Sequence, residues 1–177
     1  MAMKRILILG SGGAGKSTFA RQLAAVLKIE LIHMDVLYWL PGWREPSKEE
    51  WRRIVAETVK QDAWLMDGNY TGSLDIRLPA CDTVIFLDAP RLVCIWRVLK
   101  RVMLFSKYGR PDMAEGCPER FDWKFMLYLW GYPTQVKPRI QKLINLHCEG
   151  KKVVWLKSQE EMNRFLAEVG SNASVKV

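Results

Sequence analysis

Apolar runs of four to six residues alternate with helix-like stretches along this chain, and the first switch from one to the other constrains the fold most. The run Ile6 to Leu9 is followed directly by GSGGAGKS, Gly10 to Ser17. An apolar strand that enters a helix through such a loop belongs in a parallel sheet with helices on its faces. Gly10, Gly12, Gly13 and Gly15, with the small Ser11 and Ala14 between them, let the backbone curl so that successive N–H groups point inward. Lys16, Ser17 and Thr18 open the helix, whose positive end faces the same point. The spacing G-x-x-x-x-G-K-[ST] is that of a phosphate-binding loop, in which the Lys16 ammonium reaches the outer phosphates and the Ser17 hydroxyl suits Mg²⁺. Gly10, Gly12 and Gly15 also spell G-x-G-x-x-G, with Asp35 standing 20 residues past Gly15, the spacing of a dinucleotide fingerprint. Lys16 and Ser17 stand where a dinucleotide helix opens with small or apolar residues, and they favour the phosphate loop.

The alternation continues to the carboxyl end and predicts one α/β domain over residues 1–177. Strands are expected near Arg5–Leu9, Leu31–Met34, Trp64–Met66, Thr83–Leu87 and Val153–Leu156. Helices are expected near Lys16–Leu27, from Ser47 to Lys60, Arg91–Phe105, Phe121–Trp130, Pro138–His147 and Glu160–Val169, with a frayed tail after Gly170. Ser47 with Glu50 three residues on reads as a helix N-cap, and Gly131-Tyr132-Pro133 reads as a helix stop. Ser106 to Glu119 shows no period and is rich in Gly, Pro and charge, which predicts a mobile loop. The aromatics Trp123, Phe125, Tyr128 and Trp130 are expected in the core.

No apolar stretch approaches the length of a membrane span, and the opening residues run straight into a strand, so a cytoplasmic protein is expected. Cys81, Cys94, Cys117 and Cys148 are widely spaced and give no metal pattern; they read as reduced thiols. Nearly all of the net charge of +8 arises between residues 91 and 142, where 11 Lys/Arg face 4 Asp/Glu. Such a block suits a solvated helix face, a nucleic-acid surface or a lid that closes on phosphates, and the phosphate loop favours the lid.

Asp35, Asp67 and Asp88 each follow an apolar run, where ligands of a parallel sheet bind. A carboxylate there can hold Mg²⁺ or take a proton from an acceptor hydroxyl; the duller job is a helix cap, which Asp88, just before Ala89-Pro90, most resembles. Asp67, after the apolar Ala63 to Met66, is the expected second magnesium residue beside Ser17. Asp35, followed by Val36 to Trp39, is the expected base or acceptor-orienting residue, with Tyr38 beside the acceptor. Arg97, Lys100 and Arg101 share one helical stripe, and Arg110 lies in the loop beyond. They either grip phosphate or pair with acidic neighbours. Arg77 and Arg120 are further candidates for an acceptor anion.

With these residues in hand, the chain resembles the P-loop kinases of the adenylate-kinase-like group and, within it, the DNA topology modulation (FlaR-related) family. The strings that carry the likeness are Gly10–Ser17, Ile32 to Asp35 with Tyr38 and Trp39, Asp67 to Tyr70, Val84 to Asp88, Arg97-x-x-x-Arg101, and Arg110 to Asp122. The resemblance implies a P-loop NTPase three-layer α/β/α fold, a five-stranded parallel sheet of order 2-3-1-4-5, and a lid over about residues 106–120. It implies ATP and Mg²⁺ as cofactors and a small-molecule acceptor, with catalytic roles for Lys16, Asp35, Arg97 and Arg101; Arg97 would lie against adenine and Arg101 near the phosphates. After Asp67-Gly68 stand Asn69-Tyr70, where nucleoside monophosphate kinases hold the acceptor phosphate with an aromatic, a proline and an arginine. Asp35 matches instead the kinases that phosphorylate a hydroxyl. The family name points to DNA, yet no residue pattern here reads DNA, and oligomeric state is not encoded in any motif.

Overall fold

The computed structural model describes residues 3–105 and 112–174. Five strands form one parallel sheet: β1 Arg5–Gly10, β2 Leu31–His33, β3 Trp64–Asp67, β4 Thr83–Leu87 and β5 Lys152–Leu156, in the order β2-β3-β1-β4-β5. Both faces of each strand are covered, so the strands are continuously apolar and their alternate residues feed two separate cores. Ile6 and Ile8 of β1 pack with Phe19, Leu23, Ile85 and Phe165, under helices α1 (Lys16–Leu27) and α8 (Gln159–Ser174). Leu7 and Leu9 pack on the other face with Trp51, Val55, Leu78 and Ile140 from α3 (Lys48–Thr58), α4 (Leu74–Ala80) and α7 (Lys137–His147). Burying each such side chain stabilises the fold by about 1.5–3 kcal/mol, less whatever the unfolded chain already buries.

The expected sheet, its order and the helical layers are all present. The Ser47 cap is present too: its Oγ accepts the Glu50 N–H at 3.1 Å. Four local expectations need correction. β2 ends at His33, and Met34–Tyr38 is a short helix, α2, so Asp35 sits in a helical first turn and not on a strand end. Gly131-Tyr132-Pro133 does not stop the helix α6, Trp123–Gly131. The chain continues through a wide π-turn, Tyr132–Val136, into α7, and the Lys137 N–H bonds five residues back to the Tyr132 carbonyl. Pro138 has no N–H for the carbonyl four residues before it, and the wider turn absorbs that missing bond. Third, Trp123, Trp130 and Tyr128 are 66%, 54% and 37% exposed, because α6 covers the phosphate loop with its Phe125 and Leu129 side. Fourth, α8 runs past Gly170 to Ser174.

Candidate active site

The phosphate loop is shaped by close approaches that only glycine permits. At Gly10, φ is +146° and a Cβ would lie 2.5 Å from the Leu87 carbonyl oxygen; at Gly13, φ is +77° and a Cβ would lie 2.3 Å from that of Cys94. The Ala14 N–H closes a turn on the Ser11 carbonyl at 3.1 Å, and Gly15, in left-handed conformation, precedes the first residue of α1. Lys16 bends back so that Nζ donates to the Ser11 carbonyl at 2.9 Å. Burial lowers the Lys16 ammonium from its ordinary value, against the attraction of the Asp67 and Asp35 carboxylates. Polyphosphate charge in the loop would favour the same protonated form.

Parallel pairing places the acidic residues opposite this loop. Ile8 stands beside Asp67 in the register of β1 and β3, and His33 beside Asp67 in that of β2 and β3. The His33 Nδ1 and Asp67 Oδ1 are 2.8 Å apart, and Asp67 is nearly buried. Burial is the largest single influence on His33 and lowers its pKa, but the Asp67 hydrogen bond and charge together outweigh it, so the imidazole is raised. Asp35 accepts a hydrogen bond from the Tyr70 hydroxyl at 2.5 Å. Tyr70 itself has φ +33°, rare for a bulky side chain.

Two residues set this geometry and carry no obvious chemical pattern in sequence. Asn69 accepts the Gly10 N–H at 3.0 Å with Oδ1 and donates Nδ2 to the Gly10 carbonyl at 2.8 Å, clasping the start of the phosphate loop from the neighbouring strand. His33 holds Asp67. The adjacency of both to the loop follows from strand order, so the sole sequence signal was their place just before or after an apolar run.

Arg77 was expected at the acceptor. It is instead completely buried and does not reach the cavity: its guanidinium donates to the carbonyls of Gly68 (2.9 Å), Asn69 and Tyr70 (3.0 Å), and burial pulls its pKa down to about 10. It fixes from beneath the turn that carries Asn69 and Tyr70. Asp88 is likewise structural, taking the Lys137 ammonium at 2.6 Å.

Arg97 and Arg101 leave α5, Arg91–Phe105, on the side of the loop. A Cβ at Gly15 would lie 3.7 Å from the Arg97 Nη1, so this guanidinium overhangs the phosphate loop. Arg101 forms an ion pair with the buried Glu119, Nε to Oε1 at 3.0 Å. Lys100 is exposed and not with them. Arg110 lies outside the described residues. The next segment is firmly docked: the Gly42 N–H donates to the Gly116 carbonyl at 3.0 Å, the Trp43 indole to that of Pro118 at 3.1 Å, and the Cys117 thiol to that of Leu40 at 3.3 Å. Residues 112–120 therefore join Arg101 to the turn after α2.

These pieces enclose a cavity of about 1210 Å³, lined among others by Lys16, Ser17, Asp35, Asp67, Arg97 and Arg101. A single small ligand fills roughly 300–1,000 Å³, so the space suits two ligands side by side. Tyr38, Trp39 and Tyr70 line it as well, and Phe125 and Tyr128 close it from α6. The chain shares its fold with solved P-loop kinases. It is similar to a shikimate kinase from Acinetobacter baumannii in complex with shikimate (14% identity, 99% of this chain and 95% of that one, TM-score 0.59). It is also similar to a gluconokinase from Sinorhizobium meliloti (14% identity, 98% and 97% covered, TM-score 0.53) and a shikimate kinase from Bacteroides thetaiotaomicron (14%, 98% and 99%, TM-score 0.50). No family model and no curated protein sequence matches the chain.

The oxygens present suit magnesium. Among the described residues there is no group of three His, Cys, Asp or Glu able to cage a metal, and none is needed. Mg²⁺ that travels with a nucleotide takes one or two hard protein oxygens, phosphate oxygens and water, and the Ser17 hydroxyl and Asp67 carboxylate face one cavity. Among the described residues no helix is long and apolar enough to cross a membrane.

Proposed function

We propose that this chain is a P-loop kinase that binds MgATP on Gly10–Thr18 and transfers the γ-phosphoryl to a hydroxyl of a small acceptor. One observation carries the reading: a phosphate loop with its lysine and a hydrogen-bonded carboxylate, Asp35, face a single cavity large enough for donor and acceptor together. The acceptor oxygen attacks the γ-phosphorus as the bond from that phosphorus to the β–γ bridging oxygen breaks; ADP leaves, and Asp35 receives the hydroxyl proton. Lys16, Arg97 and Arg101 balance the charge that develops on the phosphoryl oxygens. Ser17 and Asp67 would hold magnesium, which would supply neutralisation of phosphate charge. The Glu119 partner and the Phe125 wall exclude water from the transfer.

The finer likeness to DNA topology modulation proteins rests on the strings from Asp67 to Tyr70 and Arg110 to Asp122. Among the described basic residues of the middle third, the arginines support a catalytic use of their charge over a DNA surface. Arg97, Arg101, Arg120 and Arg139 line the cavity, Lys137 is paired with Asp88, and Arg91 stacks on Trp130 at 4.1 Å. A cytoplasmic location, where MgATP is abundant, accords with this role.

Thermal unfolding with a nucleotide panel tests the reading. MgATP should raise the midpoint, and Lys16→Ala should remove most of that rise. Stabilisation by NAD with none by MgATP would establish the dinucleotide alternative, and salt-sensitive DNA binding without acceptor-stimulated ADP release would establish a regulator.

A further inference from the structure

Helices α5 and α6 lie side by side and rest on neighbouring residues of the phosphate loop. A Cβ at Gly12 would lie 2.6 Å from the Phe125 ring of α6, and one at Gly13 would lie 2.3 Å from the Cys94 carbonyl of α5. Arg91 ties the two helices together, donating to the Trp130 carbonyl at 3.1 Å with its guanidinium over the Trp130 ring. Because both helices turn their inner sides to one loop, their outer sides face the same way, out from the body.

That outer face is apolar. Leu92, Trp96 and Met103 stand at i, i+4 and i+11 of α5, and Trp123, Leu127 and Trp130 at i, i+4 and i+7 of α6, so each set forms one stripe opposite the buried side. All six are more than half exposed. Six large apolar side chains on two touching helices, half of them tryptophan, make a patch of the size that marks an interaction surface. Lys100 and Lys124, both exposed, border the stripes, one on each helix. Neither helix holds an Asp or Glu. Asp122, the carboxylate just before α6, is spent as its cap and accepts the N–H groups of Lys124 and Phe125. The kinase chemistry uses neither these tryptophans nor these lysines.

We propose that this face docks on the surface of an anionic lipid bilayer, with both helices lying flat, the tryptophans at the headgroup boundary and the lysines among the headgroup phosphates. Indole rings favour that boundary, and a lysine keeps its methylenes with the apolar stripe while its ammonium reaches the phosphate. Neither helix is long and apolar enough to cross a membrane, so the docking is peripheral. Charge selects this occupant. A second copy seated on the face by two-fold symmetry would bring lysines to lysines, with no carboxylate on either helix to pair them. A nucleic acid would neutralise the lysines and leave six apolar side chains in water. Anionic headgroups over acyl chains meet both needs. The proposal is independent of the kinase reading, since it concerns the outer side of helices whose inner sides cover the loop.

The test sediments the full chain with large unilamellar vesicles of phosphatidylcholine alone, or of phosphatidylcholine and phosphatidylglycerol in equal parts. Each lysine near an anionic surface strengthens binding about fivefold, so the anionic vesicles should bind at least about tenfold more tightly than the neutral ones, and less tightly as salt rises. Trp96→Ser with Trp123→Ser should weaken binding at least about tenfold, and Lys100→Glu with Lys124→Glu should remove the preference for anionic lipid. All four side chains are exposed, and unfolding midpoints with and without MgATP verify that the fold and the nucleotide site are kept. No binding to the anionic vesicles, equal binding to both kinds, or binding unchanged in both paired variants would each overturn the proposal. So would a dimer in sedimentation equilibrium that the tryptophan variants dissociate, or duplex DNA binding that the lysine variants abolish, where vesicles are ignored.

Discussion

Asn69→Ala is the sharpest probe of how the sheet holds the phosphate loop. The amide accepts the Gly10 N–H at 3.0 Å and donates to the Gly10 carbonyl at 2.8 Å, and its Nδ2 also lies 3.3 Å from the hydroxyls of Tyr128 and Tyr132. Gly10 is buried, so truncation leaves one backbone donor and one acceptor without a partner. Each stranded group costs about 1–3 kcal/mol, and partial hydration from the cavity side brings the sum toward the lower half, about 2–4 kcal/mol. At about 2–4 °C per kcal/mol for a chain of this size, the unfolding midpoint should fall by about 4–16 °C. Urea titration gives the free energy directly, and MgADP affinity by calorimetry should fall at least about tenfold because Gly10 begins the loop. Asn69→Asp refines the argument. It keeps the acceptor but sets a carboxylate oxygen against the Gly10 carbonyl, so it should be as damaging as alanine at pH 7. Its carboxyl has a raised folded pKa, hence the penalty fades as pH falls toward about 4, where a protonated oxygen can donate. Stability within about 0.5 kcal/mol of wild type for Asn69→Ala, with unchanged MgADP affinity, would refute the clasp.

Arg77→Met should destabilise the protein by about 3–5 kcal/mol in urea, since it strands the carbonyls of Gly68, Asn69 and Tyr70 inside the fold; an effect on acceptor KM with stability untouched would return Arg77 to the acceptor. Asp35→Asn should lower kcat by about 100-fold or more while MgATP still raises the unfolding midpoint, checked by ADP release and thermal shift in parallel. Asp75→Asn reads pH: the hydrogen bonds of Arg52 hold the Asp75 carboxyl below its ordinary 3.8, so the pair stabilises above that value and the contribution is lost as pH falls through the folded pKa. The variant should unfold slightly earlier than wild type at pH 7 and together with it at pH 2, and because both groups are solvent-exposed the difference should shrink in high salt.

What could be read from the residues alone was whatever short-range physics determines. The strands declare themselves as apolar runs, the loop by its glycines and Lys16, and the Ser47 cap by a hydroxyl three residues before Glu50. Asp67 was legible because it closes an apolar run, and it does face the loop. Errors arise where the deciding contact is made by another element. Arg77 looks like any helix arginine until the turn Gly68–Tyr70 folds over it. Trp123 and Trp130 look like core residues because composition does not say which side of α6 meets the sheet. Asp35 was placed on a strand end because the apolar run around it hides the point at which β2 becomes α2.

Asn69 shows why the missing part was not recoverable from motif spacing. Its role depends on one fact of topology, that β3 and not β2 lies against β1 on that side. Given that order, the pairing of Ile8 with Asp67 brings the residues two steps further on, Gly10 and Asn69, to the same level, and an amide is the side chain that offers both a donor and an acceptor to one peptide unit. The same pairing carries Asp67 to the Lys16 side of the cavity, whereas Asp88, one strand over in the other direction, meets Lys137 and is withdrawn from it. Three aspartates that each follow an apolar run are thus divided by strand order and helix packing: one facing the phosphate loop, one on the α2 side of the cavity, one in the scaffold. Exchanging the roles of Asp67 and Asp88 would require a different sheet order; the one local sign that separates them in sequence is Ala89-Pro90 directly after Asp88.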